Sequence, residues 1–266
     1  MNIIEIAKRE KLPPALVRNL LKFVFESDDP ISGLELMLSS GLMQRVLPEV
    51  VELSGERAVQ DPEFHPEGNV WIHSKIVMSG LFASKDWILI LAGLLHDIAK
   101  PVSMIHSKLD GRVRNPEHAE IGAEMARAIM LRLEFDERDI NRVYNLVLNH
   151  MRMHKVDLMR PGKLVELLKR PDIHDLIALQ HADSMPAIHP QKSRKAFLEA
   201  KLAEMNGDKP KAKKPLVDGA LLISLGFRPG SGLRQIKDEG AAAESRGDFN
   251  NEQGARAWVI ANFPVK

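Results

Sequence analysis

The run Trp87-Ile88-Leu89-Ile90-Leu91-Ala92-Gly93-Leu94-Leu95 constrains the fold more than any other stretch, because every position is apolar or small. An element without a polar face has no solvent side, so this one belongs in the interior. It leads directly into His96-Asp97-Ile98-Ala99-Lys100-Pro101. Pro101 discourages further helix, since the residue before a proline avoids the α region. An imidazole and a carboxylate are therefore expected side by side in the last turn of a buried helix. A buried ionised carboxylate without a partner is prohibitively costly. Two partners are available. Lys100, three residues on, would make an ion pair beside a core histidine. A metal ion would also explain the histidine, because imidazole and carboxylate are a common ligand pair for divalent cations.

Composition narrows the setting. The chain of 266 residues is 44% hydrophobic and 27% charged, enough for one large or two small packed domains and too rich in core formers for disorder. A formal net charge of +1 provides no global field for nucleic acid, so any such binding needs a local patch. The absence of cysteine excludes disulfides and thiolate ligands. No stretch has the length and purity of a membrane span, and the charged N-terminus does not read as a secretory signal, so a cytoplasmic protein is expected. Leu, Ala, Met, Glu and Lys abound and alternating β-branched runs are few, which predicts a mostly helical fold.

Along the chain, Pro13-Pro14 opens an amphipathic helix carrying Leu16, Leu20, Leu21, Phe23 and Val24, and Asp28-Asp29-Pro30 breaks it. A second helix runs from Ile31 to Ser40 with Gly41 as its C-terminal cap, and Leu42 to Leu53 continues with Pro48 inside it. Asn69 reads as the N-cap of an apolar run from Val70 to Phe82, which puts His73 one turn inside on the side of Val70 and Val77. Residues 102–117 read as a polar loop turning at Asp110-Gly111. His118 then lies near a helix start, a position that favours anions. Asp139 to His154 is amphipathic, and His150 and His154, four apart, share a side. Ile173 to Asp183 is a helix with an apolar stripe that includes Asp183. Residues 185–217 hold eight basic residues against three acidic ones, and Lys209 to Pro215 reads as an exposed linker. Asp218 to Ala261 reads as a three-helix tail, with turns at Gly226 and Pro229-Gly230-Ser231-Gly232.

His96-Asp97 after an apolar helix, with Lys100 three residues on, resembles the core of HD-domain metal-dependent phosphohydrolases. The resemblance implies an all-α HD-domain helical bundle, with a distant His and a distant Asp completing the site. His73, 23 residues before His96, and Asp183 occupy those places. His118, with Gly122-Ala123, resembles the His-x-x-x-Gly-Ala motif of many HD proteins, found near the substrate phosphate or a second metal. Asn149-His150 fits the family pattern, whereas His154 is expected to be structural.

Longer stretches are similar to bacterial tRNA nucleotidyltransferases, the CCA-adding enzymes. Ser32-Gly33-Leu34-Glu35-Leu36, Ser40-Gly41-Leu42 and Val46-Leu47-Pro48-Glu49 resemble their helical neck. His65-Pro66-Glu67-Gly68-Asn69-Val70-Trp71-Ile72-His73 closely resembles a stretch of their HD portion, and Asp218-Gly219, Leu225 to Gly230 and Leu233 resemble their C-terminal region. Ala182-Asp183 departs from the family's Ala-Asp-Ala-Arg-Gly context, because Ser184-Met185 follows and a basic neighbour is missing. The organisation expected is a neck-like helical segment over 1–60, an HD domain over 61–190, a basic linker over 191–217 and a C-terminal helical domain over 218–266. No Gly-Ser motif followed by an Asp-x-Asp pair is present, so no nucleotide addition by this chain alone is expected.

The resemblance implies His73, His96, Asp97 and Asp183 as ligands of one divalent cation (Mn²⁺, Mg²⁺, Ni²⁺, Co²⁺ or Zn²⁺), with His118 and His150 available to a second. Such an ion lowers the pKa of a bound water and polarises a phosphoryl oxygen, so that hydroxide attacks phosphorus in line. His96, Asp97, Lys100 and His118 are the implied catalytic set, the last two neutralising phosphate charge. The expected substrate is a nucleotide, a 2′,3′-cyclic phosphodiester or an RNA end. The alternative is a tRNA- or RNA-binding body, or the detached partner of a separate polymerising head, in which Arg228, Arg234 and Lys237 hold an RNA backbone.

Overall fold

A computed structural model describes residues 1–61, 63, 65–185, 194–206, 215–227, 230, 232–246, 248, 249 and 251–263. The fold is all-α. In chain order the helices are α1 (Ile3–Ala7), α2 (Pro14–Phe25), α3 (Pro30–Ser39), α4 (Leu42–Val46), α5 (Pro48–Val51), α6 (Val70–Leu81), α7 (Trp87–Leu95), α8 (Lys100–Ser103), α9 (His118–Arg132), α10 (Glu137–Met153), α11 (Pro161–Leu168), α12 (Ile173–Asp183), α13 (Lys195–Met205), α14 (Gly219–Ser224), α15 (Gly232–Arg246) and α16 (Glu252–Asn262). The strands among the described residues are a two-residue antiparallel hairpin, β1 (Ile105–His106) with β2 (Val113–Arg114). It lies in the expected polar loop and turns at Gly111, whose φ of 70° suits a residue without a Cβ.

The apolar run is the centre of the bundle. Ile88 through Leu95 are all buried, and α7 packs against α6, α10 and α12. Asp86 starts α7 by accepting from Ile88 N and Leu89 N at 3.1 and 3.2 Å. Helix α6 starts as the sequence suggested, with Asn69 Oδ1 accepting from Ile72 N at 2.9 Å. Helices α9 and α10 form an antiparallel pair on the same core. Close approach of α6 and α12 depends on Gly80: a Cβ there would lie 3.0 Å from Ala182 Cβ. Gly41 adopts a φ of 74° after α3, as a C-terminal cap requires.

Two local expectations are corrected. Pro48 does not sit within a continuous helix: Leu47 leaves helical geometry and Pro48 opens α5. Pro101 likewise does not end helix formation. It occupies the first turn of α8, where its missing N–H costs nothing.

The chain divides into two compact units, Met1–Leu202 and Ala203–Lys266. In the first, α1–α5 share one hydrophobic core with α6, α7 and α9–α12, for example Leu20, Leu34 and Leu47 with Leu91, Leu146 and Leu176. The segment read as a basic linker contains α13, whose Leu198 joins that core. Lys209–Lys214, the most basic part of the linker, lies outside the described residues, as do Arg228, Pro229 and Ser231. The second unit has its own core, with Val217, Leu222, Ile236 and Val259 among its members. Asp218 Oδ1 caps α14 from Leu221 N at 2.8 Å, and Gly226 follows with a φ of 93°.

Candidate metal centre

Three helix ends and two terminal helix turns meet at the centre of the first unit. Helix α7 delivers His96 at its C-terminus and Asp97 just beyond it. Helix α6 supplies His73, α12 supplies Asp183 as its last residue, α9 supplies His118 as its first, and α10 supplies His150. All six residues marked in the sequence as ligands thus come together. Around Asp97 Oδ2, His96 Nε2 lies at 3.1 Å and His73 Nε2 at 3.6 Å. Asp183 Oδ1 closes this group at 2.9 Å from His73 Nε2 and 3.7 Å from His96 Nε2. The other oxygen of Asp97 faces a second group: Oδ1 lies 3.4 Å from His118 Nε2 and 3.7 Å from His150 Nε2. One carboxylate therefore serves both.

The orientation of the rings is set from behind. His96 Nδ1 donates to Gly93 O at 2.8 Å, His118 Nδ1 to Asn115 O at 2.7 Å and His150 Nδ1 to Val147 O at 2.6 Å. A carbonyl only accepts, so each of these Nδ1 atoms carries the proton. His73 Nδ1 donates to the Glu67 carboxylate at 2.7 Å. Every neutral ring then presents a bare Nε2 to the centre, as metal-ligating histidines do. The consequence is electrostatic. His73 and His96 bring their Nε2 atoms within 3.3 Å of each other, and His118 and His150 do the same at 3.3 Å. Ring nitrogens facing each other at that distance, beside carboxylates, call for positive charge between them, supplied by a proton or by a metal ion.

Charge in the site follows the same logic. Burial opposes ionisation of Asp97 and Asp183, but His96 and Lys100 beside the first, and His154 and His73 beside the second, hold both well below the usual carboxylate range. Burial also disfavours charge on His96, yet Asp97 and Asp183 push it up to about 10. His73 is raised too, its burial outweighed by Asp183 and Glu67. His150 moves the other way, to about 3, because it is buried and faces His96. The site thus attracts positive charge at His73 and His96 while keeping His150 neutral, the form that binds metal. With imidazole and carboxylate donors only, the groups are positioned to hold a divalent cation.

The lysine partner weighed for Asp97 is present as well: Lys100 Nζ lies 2.7 Å from Oδ2 and donates to Gln60 Oε1 at 2.5 Å. It does not account for four imidazoles around the same carboxylate. Access to solvent is through the rim, where the side chains of His118 and His154 are 11% and 27% exposed, while His73 and His96 are sealed. A groove of about 410 Å³ reaches His118 between the start of α9 and the end of α10, lined also by Asn115, Glu117, Asn149 and Arg152. A larger cavity of about 610 Å³ lies away from the centre. Its Arg142 and Arg170 are held by Asp86, Asp175 and Asp172.

The sequence reading missed three participants. Glu67 accepts from both His73 and His65, the latter at 3.0 Å, and is held down to about 2 by these bonds against its own burial. Gln60 binds Lys100. His154, expected to be structural, reaches Asp183 Oδ2 at 2.7 Å, so it belongs to the site's surroundings. Its four-residue spacing from His150 was the available signal. Glu67 and Gln60 lie in a turn, where no periodicity reports direction.

Residues 70–188 match the family model of the HD domain. Over 253 residues the chain is 30% identical to the A-adding tRNA nucleotidyltransferase of Deinococcus radiodurans, covering 91% of this chain and 57% of that protein. It is 28% identical over 255 residues to the CC-adding tRNA nucleotidyltransferase of Thermus thermophilus, covering 95% and 56%. A multifunctional CCA protein of Halorhodospira halophila is 30% identical over 145 residues, 54% of this chain and 34% of that protein. The chain spans little more than half the length of the first two relatives. It is a partial, HD-domain-containing relative of the tRNA nucleotidyltransferases.

Proposed function

We propose that the protein is a metal-dependent phosphohydrolase acting on nucleotides, 2′,3′-cyclic phosphodiesters or RNA ends. The observation that carries this is the convergence of four Nε2 atoms, each anchored through Nδ1, on two carboxylates, with Asp97 shared between two groups. His73, His96, Asp97 and Asp183 would hold one divalent cation, and His118 and His150 with Asp97 a second. When bound, such a cation lowers the pKa of a water and polarises a phosphoryl oxygen. The chain's own groups do the rest. Lys100 neutralises charge on the phosphoryl group, His118 meets the substrate at the rim, and the sealed walls around His73 and His96 keep bulk water from screening these charges. The expected result is hydrolysis of a generic phosphodiester by Mn²⁺- or Ni²⁺-loaded protein, abolished by Asp97→Ala. Metal-loaded protein inert on a broad phosphoester panel would refute the reading.

A second reading is an RNA-holding body. It is favoured by the reach of the similarity beyond the HD match, over 91% of the chain, to relatives named for tRNA. Salt-dependent tRNA binding that survives Asp97→Ala supports it, and absence of binding at low salt rules it out.

A further inference from the structure

Gln60 lies upstream of the HD match, yet it is 3% exposed and ends in the site. Its backbone N donates to Gly68 O at 3.1 Å, so the same turn that aims Glu67 at His73 also fixes Gln60. The amide orientation is settled by its neighbour: an ammonium only donates, so the atom 2.5 Å from Lys100 Nζ is the oxygen. That leaves Gln60 Nε2 buried with no hydrogen-bond partner. Buried polar groups are seldom left this way, and such costs gather at functional sites. The neighbouring Arg57 braces the same helix α8, donating to Pro101 O at 2.9 Å and Met104 O at 3.1 Å. Lys100 has three N–H donors. Asp97 and Gln60 take two, and the tetrahedral ammonium then fixes where the third points.

We infer that Gln60 is a positioning residue, holding the Lys100 ammonium against Asp97 so that its remaining N–H meets a phosphoryl oxygen of the substrate. This rests on the phosphohydrolase reading for the identity of the substrate, and on the observed geometry for the coupling between the two side chains. Its sequence position explains why a domain match alone omits it.

The test measures inorganic phosphate binding to Mn²⁺-loaded protein by calorimetry, with metal content by elemental analysis, for wild type, Gln60→Met, Lys100→Met and the double variant. Gln60→Asn, which keeps the amide but withdraws it by one methylene, is run beside them in case the methionine variant does not fold. The expected result is about tenfold weaker phosphate binding in each single variant, no further loss in the double, and unchanged metal content. Wild-type affinity in both Gln60 variants, a further loss on the Lys100→Met background, or loss of metal would each overturn the inference. Wild type that binds phosphate but hydrolyses no phosphoester refutes the hydrolase reading and leaves the coupling measurable. Wild type that binds no phosphate overturns the inference itself.

Discussion

Glu67→Gln is nearly isosteric and removes one charge behind His73. Burial alone would raise the Glu67 carboxyl, but bonds from His65 and His73 hold it at about 2 instead of 4.5. His65 is itself pushed down by burial, so it donates as a neutral ring and the charged contribution comes from His73, whose pKa is raised. By linkage, a carboxyl depressed this far stabilises the fold by roughly 3 kcal/mol at neutral pH, and by about 2 kcal/mol once screening at the rim of the site is allowed for. The sign follows from the depressed value: the contribution is complete above pH 4.5 and disappears as pH falls toward about 2.

Glutamine stands in for the protonated acid, so the stability gap between wild type and Glu67→Gln should follow this curve. Urea unfolding in the presence of a chelator at pH 7, 5, 4 and 3 measures it. The gap should be level from pH 7 to 5 and fall to about half or less at pH 3. A gap that stays constant down to pH 3 would refute the assignment of Glu67 as an ionised partner of His73. In the presence of metal the same variant should bind the ion roughly 10–100-fold more weakly, because a neutral amide oxygen accepts from His73 Nδ1 without the charge that raises the ring's basicity.

Divalent metal at a hundred times its dissociation constant should stabilise the protein by about 2.7 kcal/mol, a rise of a few degrees in Tm, and chelation should reverse it. Asp97→Ala should show no such rise in a thermal melt, since both groups use its oxygens; a wild-type shift would count against the site. Gly80→Val should cost about 1–3 kcal/mol and weaken metal binding, because its Cβ would meet Ala182, the neighbour of Asp183, and push α12 from α6; melting and metal titration read both. Asp86→Ala should cost about 1–3 kcal/mol in urea unfolding, losing the cap of α7 and one of the two carboxylates on Arg142, while leaving metal stoichiometry unchanged.

What could be read in the sequence were side chains whose direction a regular element dictates. Ile88 to Leu95 predicted a sealed helix because no polar face was left, and all eight are buried. Helical spacing among apolar residues made the inward direction of His73 and Asp183 legible, and the resemblance to the HD pattern made them candidates for the site. Glu67 and Gln60 were not, since their direction is set by tertiary pairing: Gln60 N with Gly68 O, and the bridge between Val59 and Asn69. Proline misled for a related reason. Pro48 and Pro101 break one helix by opening the next, and sequence alone marks the break more clearly than the start. The basic residues of 191–217 hid α13 because charge dominated the window, while its core contacts come from Leu198 with Phe197 and Leu202 packed beside it.

The shared carboxylate also determines how the two groups can be separated. Any change at Asp97 strikes both, so its loss cannot count ions. His118 and His150 contact only its Oδ1 side, whereas His73 and Asp183 lie on the Oδ2 side. Replacing both His118 and His150 by alanine therefore leaves one complete set of two imidazoles and two carboxylates. If two ions bind, elemental analysis of wild type should give about two per chain and of the double variant about one, with the retained ion still lost on His73→Ala. If wild type already holds a single ion and the double variant keeps it, the second group acts on substrate charge alone. Loss of all metal from the double variant would instead show that the two groups form one indivisible centre, against the division drawn here from the two faces of Asp97.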